Sequence, residues 1–240
     1  MTTLLTGGTR IDERGELADA WVLLDGDTIA AVGSGTGAPD ADESVELHGA
    51  TMVPGFVDLH GHGGGGHAYD DGGTELASAL ASHRVHGTTR SVVSLVANPL
   101  AELRERLAEI ADLTASDPLV LGSHLEGPYL AAPRRGAHNA DYLRTPDLAD
   151  VEGLIAAARG TLRQLTIAPE LPGALEIIPR LVDAGVVVAV GHTEATAEQA
   201  RAAFDAGARM LTHAFNAMPG IHHRAPGPVV AALEDDRVTL

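Results

Sequence analysis

The chain has 240 residues, of which 45% are hydrophobic, so it is long enough for one large domain or two smaller ones. Its formal net charge of −17 at pH 7 would repel a phosphate backbone, so we do not expect a nucleic acid partner. It has no cysteine, which excludes disulfides, thiolate metal sites and a cysteine nucleophile. No apolar run approaches the ~20 residues of a membrane helix and no secretory leader opens the sequence, so a cytoplasmic protein is expected.

Residues 1–50 are predicted to be the N-terminal portion of a β-sandwich. Strands are expected at 20–24 and 28–32, with a further short strand at 45–47. Asp25-Gly26-Asp27 lies between the first two and is typical of a hairpin turn, because Asp-Gly tolerates positive φ. We expect a structural role for this part of the chain.

From residue 51 onwards the sequence predicts alternating strands and helices. The predicted strands are 53–59, 88–96, 119–125, 163–168, 186–190 and 209–212, with another beginning at 237–240. The predicted helices are 74–86, 99–113, 146–159, 173–184, 195–206 and a short one at 228–233. This alternation is typical of an α/β fold with a parallel sheet. A TIM-type (β/α)8 barrel needs about 250 residues, so 51–240 is interpreted as an incomplete barrel, truncated after about strand six or seven.

Side chains that bind metals follow four of these strands, at the carboxyl ends where barrel active sites lie. The first strand leads into His60-Gly61-His62, and because residues two apart on a strand share a face, both imidazoles point the same way. Later strands lead to Glu126, His192 and His213. Nitrogen and oxygen ligands suit Zn²⁺ or a similar divalent ion. The sequence therefore predicts a metal site at this end of the barrel.

Other interpretations stay open for single residues. Any one of these histidines could be a hydrogen-bonded loop residue, and Asp58 could either orient His60 or hold the loop. The remaining histidines without such a pattern are assigned to surface or core: His48, His67, His83, His86 and His124.

Many barrel metallohydrolases bridge two metals with a carboxylated lysine. All 16 cationic residues here are arginine, so that bridge is impossible and Glu126 is its natural substitute.

Several motifs between residues 53 and 227 occur together in one order: VPGFVDLHGHG, HLEGPYL followed by RRGAH, TIAPE, VGHTEAT, THAFNAM and RAPG. In this combination the chain resembles the N-acetylglucosamine-6-phosphate deacetylase family of the amidohydrolase superfamily. The resemblance implies a β-sandwich built around the barrel, a homodimer, and hydrolysis of the N-acetyl group of N-acetylglucosamine 6-phosphate to glucosamine 6-phosphate and acetate. The expected partner is thus a small sugar phosphate.

The resemblance also implies a role for each matching residue. Glu126, His192 and His213 match the ligands of the main metal, and His60 and His62 those of a second metal in members that keep both. One or two Zn²⁺ ions per subunit are therefore expected. Substrate contacts are implied for Ala137, His138, Asn216 and Ala217. Arg224 matches the arginine that binds the sugar phosphate, and in a dimer it can reach the neighbouring subunit's site.

No catalytic residue is assigned within 1–240. The family's general base is an aspartate at the end of the eighth strand, which is expected to lie beyond Leu240. We therefore expect a fragment of a longer enzyme, with doubtful activity of the 240 residues alone; a real short product is the other explanation. The alternative functions are another metal-dependent amidohydrolase and a non-catalytic remnant that binds metal or sugar phosphate.

Overall fold

The computed structural model describes all 240 residues, which divide into two compact units, Met1–Phe56 and Val57–Leu240. The domain assignment made from the sequence, with its boundary after residue 50, stays a prediction. None of the helices combines the length and the apolar character needed to cross a bilayer.

The first unit is a five-stranded sheet in the order β3-β2-β1-β4, with β5 also pairing with β1. Its strands are β1 (Thr2–Asp12), β2 (Gly15–Asp25), β3 (Thr28–Ser34), β4 (Glu43–Glu46) and β5 (Thr51–Met52). The predicted hairpin is confirmed, because β2 and β3 pair antiparallel up to Asp25 opposite Thr28. The central strand β1 was not predicted. Its pairing with β2 shifts register on both sides of Gly8, and its threonines and glycines give no hydrophobic alternation.

The second unit alternates strands and helices as predicted. Its strands are β6 (Phe56–Gly61), β7 (Gly63–Gly64), β8 (His67–Ala68), β9 (Thr88–Leu95), β10 (Val120–Glu126), β11 (Leu162–Ile167), β12 (Val187–Val190) and β13 (Met210–Leu211). Its helices are α1 (Gly73–Arg84), α2 (Leu100–Ser116), α3 (Leu148–Ala158), α4 (Ala174–Asp183), α5 (Ala197–Ala206) and α6 (Gly227–Leu233). The prediction of a strand at 237–240 is wrong, because this segment forms only one parallel bridge, between Met210 and Thr239.

Six strands form one open sheet in the order β13-β12-β11-β10-β9-β6, which confirms an α/β barrel fold in truncated form. The pairings of β9 through β13 are parallel. Their carboxyl ends come into register, as in the pairs Leu125 with Leu95 and Ile167 with Val190. Side chains that follow neighbouring strands are therefore brought to the same rim of the sheet.

The two faces of this sheet differ in chemistry. Leu95, Leu125 and Ile167 belong to the hydrophobic core with apolar side chains of the helices, such as Leu107 and Phe204. Because side chains alternate along a strand, the intervening residues face the other way, and these are polar and buried: Ser94, His124, Glu126, Gln164 and Thr166. The concave face of the half-barrel is thus polar where it approaches the carboxyl rim.

Candidate metal centre

The five predicted ligands meet at the carboxyl rim of the sheet. His60 lies in β6 and His62 just after it, Glu126 is the last residue of β10, and His192 and His213 each follow their strand by two residues. Together with Val96, Ala137 and His138 they line a cavity of about 400 Å³. The cavity is therefore lined by predicted ligands from the carboxyl ends of four strands.

The Glu126 carboxylate lies at the centre of this cluster and is 5% exposed. Its Oε1 lies 3.1 to 3.3 Å from the Nε2 atoms of three imidazoles, those of His60, His192 and His213. Its Oε2 lies 2.9 Å from Nε2 of His62 and 3.2 Å from Nε2 of His138. Burial raises the pKa of Glu126, but the surrounding imidazoles outweigh it and hold the pKa well below its usual value. The carboxylate is therefore ionised at neutral pH.

Main-chain carbonyls fix the tautomers of two histidines. The ring of His192 donates its Nδ1–H to the carbonyl of Arg134 at 2.8 Å, and that of His213 donates to the carbonyl of Asn216 at 3.0 Å. In each neutral ring the lone pair is then on Nε2. These two Nε2 atoms lie 2.9 Å apart, and both face Glu126 Oε1. Three acceptors converge without a donor between them, which is an arrangement that a divalent cation stabilises.

His60 and His62 form a second triad with the same carboxylate. Their Nε2 atoms lie 3.1 Å apart, and Thr212 Oγ1 lies 3.1 Å from Nδ1 of His60. In each triad one ligand atom per residue lies within 4.8 Å of the others. Glu126 is shared, so the residues present fit two cations bridged by one carboxylate, or one cation in either triad.

His138 contacts the same carboxylate in the opposite protonation pattern. Its Nδ1 accepts a hydrogen bond from the backbone N–H of Ala97 at 3.1 Å, so the proton is on Nε2. That Nε2–H is the donor in the contact with Glu126 Oε2. In this tautomer His138 positions the carboxylate and is not a metal ligand. Its predicted substrate contact stays a prediction, as does that of Ala137 beside it in the cavity.

Two of the predicted ligands are held in a strained backbone conformation. His192 has φ of +47° and His213 of +30°, in the left-handed region that costs a non-glycine residue about 1–3 kcal/mol. Ala217, with φ of +51°, accepts a hydrogen bond from the backbone N–H of Thr193 at 3.1 Å and joins the two loops. Contacts with the surrounding residues therefore have to hold these imidazoles in place against the backbone strain.

The remaining predicted residues are placed differently. Asn216 contacts His213 through its main-chain carbonyl. Arg224 is exposed and does not line the cavity; its backbone N–H donates to Nδ1 of His222. Asp58 accepts from the backbone N–H of His60 at 3.1 Å, so it holds the main chain and not the imidazole. The implied roles of Asn216, Ala217 and Arg224 stay predictions.

Some contributing groups were missed in the sequence. The Arg134 carbonyl and the Ala97 N–H act through the main chain, which leaves no signal in residue type. Thr212 lies directly before His213. Its contact with His60 could have been predicted from the alternation of side chains along the strand. Glu170 in the TIAPE motif contacts the loop after His192, a role that the motif alone does not specify.

Sequence comparison finds related deacetylases over most or all of the chain, although no family model matches. An N-acetylgalactosamine-6-phosphate deacetylase of Escherichia coli O157:H7 is 36% identical over 244 residues, covering 100% of this chain and 63% of the relative. An N-acetylglucosamine-6-phosphate deacetylase of Vibrio furnissii is 34% identical over 220 residues, covering 90% of this chain and 55% of the relative. The chain thus spans about half to three fifths of the length of these relatives.

Solved structures give the same result. The N-acetyl-D-glucosamine-6-phosphate deacetylase of Mycobacterium smegmatis, solved as an aspartate-to-alanine variant in complex with N-acetyl-D-glucosamine 6-phosphate, is 46% identical with a TM-score of 0.93, covering 99% of this chain and 62% of that one. The Pasteurella multocida enzyme is 28% identical with a TM-score of 0.89, covering 98% and 63%. The resemblance seen in the sequence is therefore confirmed: this chain is a relative of the N-acetylglucosamine-6-phosphate deacetylases of the amidohydrolase superfamily.

Proposed function

We propose that this chain carries the metal centre of a deacetylase that hydrolyses the N-acetyl group of an N-acetylhexosamine 6-phosphate, with N-acetylglucosamine 6-phosphate as the expected substrate and glucosamine 6-phosphate and acetate as products. The observation that carries the proposal is the pair of acceptor triads that meet at Glu126. The relatives that act on such sugars support the choice of substrate class.

Zn²⁺ is the proposed metal, held by Glu126 with His192 and His213, and in a second site by Glu126 with His60 and His62. Imidazole and carboxylate donors without sulfur suit this ion. When bound, such an ion acts as a Lewis acid toward a carbonyl group and makes a nucleophile available at neutral pH. Glu126 supplies the negative charge, and the Nε2–H of His138 restrains the carboxylate.

Arg224 is proposed to bind the phosphate of the substrate. Its guanidinium can form two parallel hydrogen bonds with a phosphate, and it is an exposed cation in a chain of net charge −17. A homodimer would allow Arg224 of one subunit to serve the other's site, as the family resemblance implies. We also propose a cytoplasmic location for the protein. The general base is proposed to be an aspartate outside residues 1–240.

The first test is metal content and turnover of the 240-residue chain. We expect stoichiometric zinc by elemental analysis of the wild type, and one ion fewer in His62→Ala if both triads are filled. Acetate release from N-acetylglucosamine 6-phosphate should be negligible in this chain and should appear when the coding frame is extended to include a further strand that ends in an aspartate. The proposal would be overturned if neither the 240-residue chain nor the extended protein bound zinc.

The substrate is tested by comparing three compounds with the extended protein. N-acetylglucosamine 6-phosphate and its galactose epimer distinguish the two activities named among the relatives. Unphosphorylated N-acetylglucosamine should be a poor substrate, and Arg224→Ala should remove the preference for the phosphate. Equal rates with and without the phosphate would instead favour another metal-dependent amidohydrolase.

A further inference from the structure

Glu170 connects the end of β11 to the loop that carries His192. Its Oε2 accepts a hydrogen bond from the hydroxyl of Thr193 at 2.5 Å, and its Oε1 accepts from the backbone N–H of Glu194 at 2.6 Å. Thr193 is 0% exposed, and its hydroxyl accepts in turn from the backbone N–H of Ala195 at 2.9 Å. One carboxylate therefore holds the two residues directly after a predicted metal ligand.

These contacts act where the backbone needs restraint. His192 has positive φ, so its loop would relax toward a more common conformation if its neighbours were free. The carbonyl of His192 is held by the backbone N–H of Ala131 at 2.9 Å, which fixes the residue from one side. Glu170 fixes the following residues from the other side with two hydrogen bonds, one to each oxygen of its side chain.

The other acidic residues nearby do not share this arrangement. Glu170 lines a shallow groove of about 480 Å³ with Glu176 and Glu198. Glu176 is exposed and its side chain forms no hydrogen bond or ion pair with the loop, whereas both oxygens of Glu170 are directed at Thr193 and Glu194. The groove itself is a shallow acidic surface.

We propose that Glu170 is a positioning residue for the metal centre: it acts through Thr193 and Glu194 to keep Nε2 of His192 directed at Glu126. The inference rests on the proposed function, because it assumes that Glu126, His192 and His213 bind a metal. Outer residues that orient a metal ligand typically change metal affinity by about 10–100-fold when they are removed.

The test is a zinc titration of metal-free protein against a competing chelator. A His62→Ala background leaves one triad, so a single affinity is measured. In it, Glu170→Ala should bind zinc about 10–100-fold more weakly, and the absorption spectrum of the cobalt(II) form should change. Glu170→Gln should recover most of the affinity, because its amide oxygen still accepts from Glu194. The matched control Glu176→Ala should behave as the parent.

Unchanged zinc affinity and an unchanged cobalt spectrum in Glu170→Ala would overturn the inference. If circular dichroism shows that metal-free Glu170→Ala does not fold, Thr193→Val decides, since it replaces the hydroxyl that donates to Glu170 with a methyl group: weaker binding supports the inference and parental binding overturns it. A parent that binds no zinc would overturn the proposed function itself, which is a different outcome from a parent that binds and a Glu170 variant that binds equally well.

Discussion

At the scale of single residues, Glu126 is the residue on which the candidate metal centre most depends. Five imidazole nitrogens lie within 3.3 Å of its two oxygens. Replacing the charge while keeping the shape, as in Glu126→Gln, removes the only anion of both triads. We expect zinc affinity to fall by more than about 100-fold, beyond the range typical of residues outside the ligand shell. Zinc competition titration measures this directly.

A matched control is available in Glu75. This carboxylate also contacts an imidazole, that of His67 at 2.7 Å, but it is half-exposed and lies outside the triads. Glu75→Gln should leave zinc affinity unchanged. Equal effects of the two substitutions would show that the measurement reports net charge and not ligation.

His124 gives a prediction about pH. It is fully buried between the hydroxyls of Ser94 and Thr166, each 2.9 Å from a ring nitrogen. Burial, with the neighbouring His60 ring, lowers its pKa well below 6.5. The unfolded chain therefore binds a proton there that the folded chain does not, so this residue makes stability fall as the pH drops below about 6.5.

We measure this as a difference between proteins, because other histidines titrate too. In metal-free protein, the free energy of unfolding of the wild type should fall relative to that of His124→Gln by about 1 kcal/mol between about pH 7.5 and about pH 5.5. A wild type and a His124→Gln variant with parallel pH profiles would contradict the expectation.

At the scale of elements, the sequence was most informative where strands and helices alternate along the chain. All six barrel strands were found, because strands such as β9, β10 and β11 are short segments separated by helices. β1 was missed because its register shifts and its glycines remove the alternation. Strand ends located all five candidate ligands. The positive φ of His192 and His213 and their carbonyl partners depend on the loops around them, which no local pattern specifies.

The strand β10, which carries Glu126, depends on Gly122. This residue has φ of +141°, and an added Cβ would lie 2.1 Å from the carbonyl oxygen of Thr161. The β9–β10 pairing shifts register between Val120 and this glycine. Gly122→Ala should therefore cost more than about 2 kcal/mol, combining backbone strain with a main-chain clash.

The control for Gly122→Ala is Gly160→Ala. Gly160 also has positive φ, of +83°, but no atom lies within 4 Å of its added Cβ. We expect only about 1 kcal/mol there, from backbone strain. Urea unfolding of both variants gives the difference, and equal losses would show that the approach of the Thr161 carbonyl does not determine the geometry of β10.

At the scale of the whole second unit, the proposed metal would connect ligands from β6, β10 and the loops after β12 and β13. These elements are separated by more than 150 residues along the chain, since His60 and His213 belong to one cluster. An ion bound only by the folded chain stabilises it by mass action, by about 2.7 kcal/mol at a free concentration of 100 times Kd. For a chain of this size that corresponds to a rise in Tm of roughly 5–10 °C.

Differential scanning calorimetry with zinc and with EDTA tests this coupling. We expect the rise in Tm in the wild type, its loss on addition of EDTA, and no rise in Glu126→Gln, whereas Gly160→Ala should keep the full rise from a lower starting Tm. A wild type whose Tm does not respond to zinc would mean that the converging acceptors are held together by protons alone. Metal would then not be what unites the four strand ends.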